Sequence, residues 1–485
     1  MKYGVVVPLV LAPFFVVKAI VYPPGDGDLF WQRWLGSVVL QSHALPRSLG
    51  NEAFTAAGAP WVPQEWLFST LLSFSAAHGA AWAFDAAIAL CPIVALWLVA
   101  VRAARHGATP LTALVCAAFA GVALLESFGV RVQVAAWLLI ALFLLALDED
   151  GAWLWATVPI AALWSNLHAS AMLAPVLVAA AAVGVVLEDR AWTPRLRRHV
   201  LVAGACALAL CLNPLGPELP RYAIGLFSSP IKHWIAEWKT TDAADISFLL
   251  GAFPLLAIAM VAGFGAPRQW KQGLVLAAFA VLLFTAARNI AVFGIAAAPI
   301  VAARLSRYLP RREPRPLTAL DRGAQFAFPA FALAVGVACA VTLAREAPPP
   351  LADLPVQAIA AIDAMPGTHR LLCGDFAWCA LEFPPDGGIP RAQVFLDGRA
   401  DPFPVSVWRD FVAISLLQPD WRQRLDARGV NVVLVKVDAP LAQALALAPD
   451  WRRAYRDAKF LVYLRRGDGR RADAREVRGA GRIAG

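Results

Sequence analysis

The sequence predicts a polytopic α-helical membrane protein of about 11 transmembrane helices followed by a small C-terminal soluble α/β domain. Three observations carry this. Of 485 residues, 59% are hydrophobic and only 16% charged, with a mean hydropathy of +0.60, where soluble domains run to roughly 45–50% apolar. Runs of about 17–22 apolar residues, each able to cross a hydrocarbon core of roughly 30 Å, recur as far as residue 344. From Glu346 onward Pro, Asp and Arg become frequent and the apolar runs shrink to five or six residues.

Apolar runs bounded by charges, Pro or Gly place spans near 4–22, 80–101, 109–126, 131–147, 152–168, 170–187, 199–213, 246–265, 272–287, 290–304 and 325–344. The first follows Met1-Lys2 but is longer than the apolar core of a signal peptide, and no small-residue cleavage site precedes Tyr22-Pro23-Pro24, so it reads as a retained helix. The organisation expected is a membrane domain over 1–345 with a first outer loop at 23–79, a soluble domain over 346–465, and a disordered basic tail over 466–485.

The net charge of +9 is read through topology and not as a nucleic-acid footprint. With the N-terminus cytoplasmic, inner loops hold Arg102, Arg105, Arg190, Arg195, Arg197, Arg198, Arg268, Lys271, Arg304, Arg307, Arg311, Arg312, Arg315 and Arg322. The opposite loops hold half as many: Arg33, Arg47, Arg131, Arg221, Lys232, Lys239 and Arg288. The positive-inside rule then puts the N-terminus in and the C-terminal domain out, with the acidic turn DEDG at 148–151 as the one exception.

That topology places an unusual mixture of polar residues on the outer boundary: Asp26, Asp28, Glu65, Arg131, Gln133, Asn166, His168, Asn213, His233, Glu237, Arg288 and Asn289. Acids, bases and amides on one face suggest a single site; interfacial snorkelling is the competing reading. The first loop is richest. DLFWQRWLGSVVLQS suits a short interfacial helix with Asp28 as its N-cap, a role that leaves Asp26 unexplained. In PQEWLFSTLLSFSAAHG, Glu65 falls in the first turn, where it complements the helix dipole, and shares one face with Ser69 and Ser73.

GDGDLFWQRWLGSVVLQSHALPRS and AFTAAGAPWVPQEWLFSTLL together resemble the first outer loop of GT-C membrane glycosyltransferases. The likeness is to the bacterial branch related to lipopolysaccharide-sugar and protein O-mannosyltransferase types. It continues in order through WSNLHAS (164–170), NPLG (213–216), IAEW (235–238), ARNIAVFGIAAAPIVA (287–302) and VFLDGRADPF (394–403). The resemblance implies a GT-C-like fold in a bacterial inner membrane, with the C-terminal domain periplasmic. It implies transfer of a sugar from a polyprenyl-phosphate donor to a lipid, glycan or protein acceptor on the outer face. A first-loop acid would be the general base or a ligand of a divalent cation, Mg or Mn. By position that acid is Asp28, which keeps the spacing to the aromatic pair, or Asp26; Glu65 resembles the second acid of the loop. The basic residue that the lipid A branch carries beside this acid is absent, since Gln64 and Trp66 flank it.

Transfer to a hydroxyl needs a carboxylate within reach of the nucleophile and cationic donors for the departing phosphate. Arg131 and Arg288 offer the planar fork for that phosphate. Asn166 and His168 line a cavity or satisfy a broken helix. His233, Glu237 and Trp238, with Asn289 beside Arg288, read as an acceptor platform or lid, or as an amphipathic interfacial helix. Asp26-Gly27-Asp28 also fits Mg²⁺ held against a nucleotide-sugar diphosphate, a reading that topology weakens because nucleotide sugars are cytosolic. Two other functions stay open: a lipid or saccharide transporter or flippase, disfavoured by the lack of an internal repeat, and a non-catalytic part of a polysaccharide assembly system.

In the C-terminal domain the pattern gives a helix near 355–364, strand 369–373, helix 376–382, strand 392–396, helices across 405–428, strand 431–436, helix 439–447 and a closing strand pair at 452–465. LDGRAD at 396–401 reads first as a turn held by an Asp/Arg pair and second as an acceptor contact through Asp397, Arg399 and Asp401. Cys373 and Cys379 are either a disulfide, which an outer location permits, or two buried thiols.

Overall fold

Each apolar run expected to span is helical in the structure, a computed structural model that describes residues 6–21, 27–125, 127–263, 269–309, 319–346 and 351–466. Helices lie at Val6–Val21, Ala81–Arg105, Pro110–Leu125, Val132–Leu147, Thr157–Leu167, Leu173–Asp189, Pro194–Ala209, Phe253–Gly263, Trp270–Leu283, Asn289–Leu305 and Ala319–Glu346. Among the described residues, three stretches are long and apolar enough to cross a membrane by length and composition: Ala81–Arg105, Ala169–Asp189 and Asn289–Tyr308. Shorter apolar helices of 10–17 residues include Val6–Ala19, Pro110–Leu125, Val132–Leu147, Phe248–Gly263, Trp270–Leu283 and Ala327–Thr342.

The chain divides into two units. The first comprises Met1–Pro23 and His78–Ala347; the second comprises Pro24–Ala77 and Pro348–Gly485. The stretch that the sequence places in an outer loop of the membrane domain thus belongs with the C-terminal domain. The basic tail expected at 466–485 lies outside the described residues from 467 onward.

Within the first unit, Asn289–Leu305 is the most enclosed of the long helices, because NIAVFGIAAAPIVAARL presents small residues on every side. Small residues let backbones approach where lipid removes the hydrophobic drive for association. A Cβ on Gly294 would lie 3.0 Å from Ala123 Cβ, and one on Gly251, in the π turn Phe248–Ala252, would lie 2.7 Å from Ala123 N. Gly336 meets the Val10 carbonyl in the same way, at 2.3 Å.

The acidic turn at 148–151 explains its own departure from the positive-inside bias. Asp148 takes Arg102 Nε at 2.8 Å and Nη2 at 3.1 Å, with His106 Nε2 also at 3.1 Å. Glu149 pairs with Arg105 at 3.0 Å, and Asp150 with Lys271 at 2.6 Å and Arg195 at 2.9 Å. Arg195 reaches on to Glu188 and Asp189. These acids are counter-ions that gather basic residues from three helices. Burial works to raise the Asp148 pKa, but Arg102 and His106 hold it well below the usual carboxylate range.

The second unit is built on a five-stranded sheet: β1 (His369–Cys373), β2 (Ala392–Val394), β3 (Val432–Lys436), β4 (Trp451–Arg456) and β5 (Phe460–Arg465), in the order β2-β1-β3-β5-β4. The first three run parallel, with Leu371 opposite both Val394 and Val432, and β5 and β4 close the sheet antiparallel. The central strand VVLVK is continuously apolar because both its faces are covered, apart from its last residue. Helices Val356–Asp363, Val405–Ser415, Trp421–Ala427 and Pro440–Ala446 fall where the pattern placed them. The 376–382 segment is a 3-10 helix, and Cys373 and Cys379 on either side of its start are joined as a disulfide.

Glu382, buried at the end of that turn, accepts from the Ala392 N–H at 3.3 Å and so closes the base of the loop between them. Burial, and the Asp363 carboxyl beside it, push its pKa up to about 8. A raised carboxyl pKa favours the folded state while protonated, and that stability drains away as pH rises from 4.5 to about 8, by up to about 1.4 kcal/mol per pH unit. Glu382→Gln should therefore flatten the decline in unfolding temperature between about pH 6 and 8 and raise that temperature at pH 8. In the first unit, Asp148→Asn leaves Arg102, with 2% of its side chain exposed, without its counter-ion. Thermal unfolding in detergent should show a loss of about 3–5 kcal/mol. Arg105→Ala, which breaks an exposed pair, should cost no more than about 1 kcal/mol.

Candidate functional site

The first-loop helix Asp28–Ser42 forms, but its first residue does not cap it. Gly27 occupies the N-cap position, no side chain caps the end, and Asp28 Oδ1 accepts the Trp31 Nε1–H at 3.1 Å. Asp28 thus sits in the first turn with its carboxylate half-buried and turned toward an indole donor. Asp26 lies outside the described residues. The glycine between the two acids has a steric cause: a Cβ on Gly27 would lie 2.6 Å from the Ala377 carbonyl oxygen.

Glu65 directly precedes the helix Trp66–Ala77, and its Oε2 accepts from Gln32 Nε2. The stripe Glu65, Ser69, Ser73 is a seam between two helices. Gly36 presses on the Ser69 carbonyl so closely that no Cβ fits, and the Ser73 hydroxyl donates to the Arg33 carbonyl. Gln32 and Gly36 are buried in this seam.

The LDGRAD turn holds the helix from the other side. Arg399, 2% exposed, donates Nε and Nη2 to Asp397 (2.9 and 2.7 Å) and Nη1 to Glu52 of the first loop at 2.9 Å. The rings of Phe383, Trp61 and Trp34 surround the guanidinium at 4.9, 5.0 and 5.7 Å. Burial opposes its charge, yet Asp397 and Glu52 keep the Arg399 pKa above the ordinary value. Asp397 and Arg399 are therefore committed to the turn. The loop after Glu382 grips the same helix: Trp34 Nε1 donates to the Gly388 carbonyl at 2.8 Å, Ser37 to that of Pro385 at 2.7 Å, and Gln41 to that of Asp386 at 2.5 Å.

In the first unit the structure gathers the two arginines and the 235–238 segment. Arg131 Nη1 pairs with Glu237 Oε2 at 2.9 Å, both partners about one-third exposed. The Arg288 guanidinium stacks on the Trp238 ring at 4.8 Å, and its backbone N–H donates to the Glu237 carbonyl at 3.3 Å. The helix of this loop is Glu218–Ser228; the segment that carries His233, Glu237 and Trp238 is instead two short 3-10 turns, Pro230–His233 and Ala236–Trp238, with His233 exposed. His168 is buried, its Nδ1 accepting from the Ser170 N–H (3.2 Å) and hydroxyl (2.7 Å), so it caps the turn Ala169–Met172. Asn166 Nδ2 ties the carbonyls of Ala162 and Leu212 together at 2.7 and 2.8 Å. Asn289 Nδ2 satisfies Leu282 O at 2.9 Å, at the end of the preceding helix.

Sequence reasoning missed Glu52, although it is the one acid between Asp28 and Glu65, and missed Gly398, whose Cβ would lie 2.3 Å from Asp28 Oδ1. Among the described residues no group of three or more His, Cys, Asp or Glu side chains is placed to hold a metal ion. Asp28 is the one acid of the Asp26/Asp28 pair that is described, and no step below is routed through a cation.

No protein-family model matches the sequence, and no curated protein matches it. Solved structures do. The archaeal oligosaccharyltransferase AglB from Archaeoglobus fulgidus, in complex with an inhibitory peptide and a dolichol-phosphate, superposes with a TM-score of 0.58 at 11% identity, covering 90% of this chain and 70% of that one. The same oligosaccharyltransferase in complex with Zn and sulfate gives 0.51 at 11% identity over 94% and 73%. ArnT from Cupriavidus metallidurans in the apo state gives 0.52 at 14% identity over 93% and 96%. The chain is mostly helical with a small C-terminal sheet, and its fold is that of these solved structures.

Proposed function

We propose that this protein is a membrane glycosyltransferase that moves a sugar from a polyprenyl-phosphate donor to a hydroxyl of a lipid, glycan or protein acceptor on the outer face of the membrane. The observation that carries this reading is a half-buried first-loop carboxylate, Asp28, held by an indole N–H, in a chain with the fold of an oligosaccharyltransferase. Dolichol-phosphate accompanies AglB in its structure, which supports a donor of the same chemical kind here.

Asp28 takes the acceptor's proton as the new carbon–oxygen bond forms at the sugar's anomeric carbon. The bond from that carbon to the phosphate oxygen breaks, and the phosphate departs with the electron pair. Arg131 and Arg288 stabilise the charge it gains, in place of Glu237 and the Trp238 ring. Glu65 orients Gln32, one turn along from Asp28. Asp26 is the alternative base. His168, Asn166 and Asn289 hold backbone around the arginines, and His233 belongs to the acceptor side.

Purified protein supplied with a panel of polyprenyl-linked sugars should show transfer that Asp28→Asn lowers by about 10²–10⁴-fold. Arg131→Ala and Arg288→Ala should each lower it by about 10²–10³-fold. Undiminished transfer by Asp26→Asn, Asp28→Asn and Glu65→Gln alike would remove the assignment of the base. Movement of lipid-linked sugar across vesicles without chemical change would instead identify a flippase.

A further inference from the structure

We infer that Gly398, in the C-terminal domain, is a positioning residue for the Asp28 carboxylate, an inference that rests on the reading of Asp28 as the base. Gly398 sits in the Leu396–Asp401 turn, and its φ is not in the left-handed region, so backbone freedom does not account for a glycine there. Space does. A Cβ at this position would lie 2.3 Å from Asp28 Oδ1 and 3.0 Å from Trp31 Nε1, the two atoms that make the carboxylate's hydrogen bond. The bare Cα of Gly398 is one wall of the carboxylate's seat and the Trp31 indole is the other.

The glycine wall is rigid. Its neighbours Asp397 and Arg399 are 0% and 2% exposed, and they are joined both by the side-chain pair and by the Arg399 N–H donating to Asp397 Oδ1 at 2.9 Å. Ala400, the next residue, is held at φ +56°, in the left-handed region, with its carbonyl accepting from Trp408 Nε1 at 3.0 Å. A methyl group added at Gly398 must displace either this turn or the Asp28 carboxylate. The turn carries a buried guanidinium with two carboxylate partners; the Asp28 carboxylate is the far end of a partly exposed side chain, which a rotation can shift. The carboxylate moves.

A base moved by a fraction of an ångström loses rate without losing its substrate. Gly398→Ala should lower kcat by about 10–100-fold while the KM for the lipid-linked sugar stays within about 2-fold. In an Asp28→Asn background the same substitution should change the residual rate by less than about 2-fold, because a residue that acts through Asp28 has nothing left to act on. Trp31→Phe, which removes the indole N–H together with part of the ring that packs on Trp61, should show the same dependence on Asp28, and it decides the matter if Gly398→Ala does not fold in detergent. Three results would overturn the inference. If both variants turn over like the parent protein while Asp28→Asn is inactive, Asp28 remains the base and the positioning is wrong. If both lose equal activity in the two backgrounds, their effect is structural. If Asp28→Asn transfers normally, the base assignment falls and the positioning with it.

Discussion

The second unit depends on one buried cation. Arg399 is removed from water by three aromatic rings, and its charge persists because Asp397 lies beside it in the same turn and Glu52 comes from a segment 347 residues away. A guanidinium in such surroundings must be paired, so the first-loop segment and the C-terminal turn have to meet in one register. Trp34 and Trp61 cover the ion from the helix and from the loop that follows it, so apolar and ionic requirements fix the same geometry. Everything on the Asp28–Ser42 helix inherits its place from that arrangement, including the carboxylate at its start.

The first unit handles charge differently. Its helices associate through glycine and alanine contacts that need no polar chemistry, as where Gly251 and Gly294 meet Ala123. Polar residues concentrate in turns. Around 148–150 acids and bases satisfy one another, so that Arg102 and Lys271 are buried yet paired. Around Arg131 and Arg288 the pairing is looser: one guanidinium meets a partly exposed carboxylate and the other an aromatic face. A partly exposed ion pair of this kind contributes little to stability.

Much was legible in the chain. Hydropathy placed the helices because a segment without water must satisfy its backbone internally, and alternation placed the strands of the C-terminal sheet to within a residue or two. The site was legible in residue type but not in partnership. Asp28, Glu65, Arg131, Arg288 and Glu237 stand out as ionisable residues beside apolar runs, whereas Glu52 looks like any loop acid until Arg399 is seen beside it. Asp28 reads as a helix cap by local pattern, and the pattern fails because Trp31 and the Gly398 turn claim its carboxylate.

The amino-acid sequence determined by itself which segments are helical, where the character of the chain changes near residue 346, and which residue types stand at the apolar boundaries. These follow from local composition and period, which act over a few residues. The tertiary structure alone decided that residues 24–77 belong with the C-terminal domain, that the serine stripe is a helix seam, and that two glycines shape the surroundings of Asp28. Those outcomes rest on contacts between residues tens to hundreds of positions apart, set by where a buried charge finds its partners and where a backbone leaves room for a neighbour.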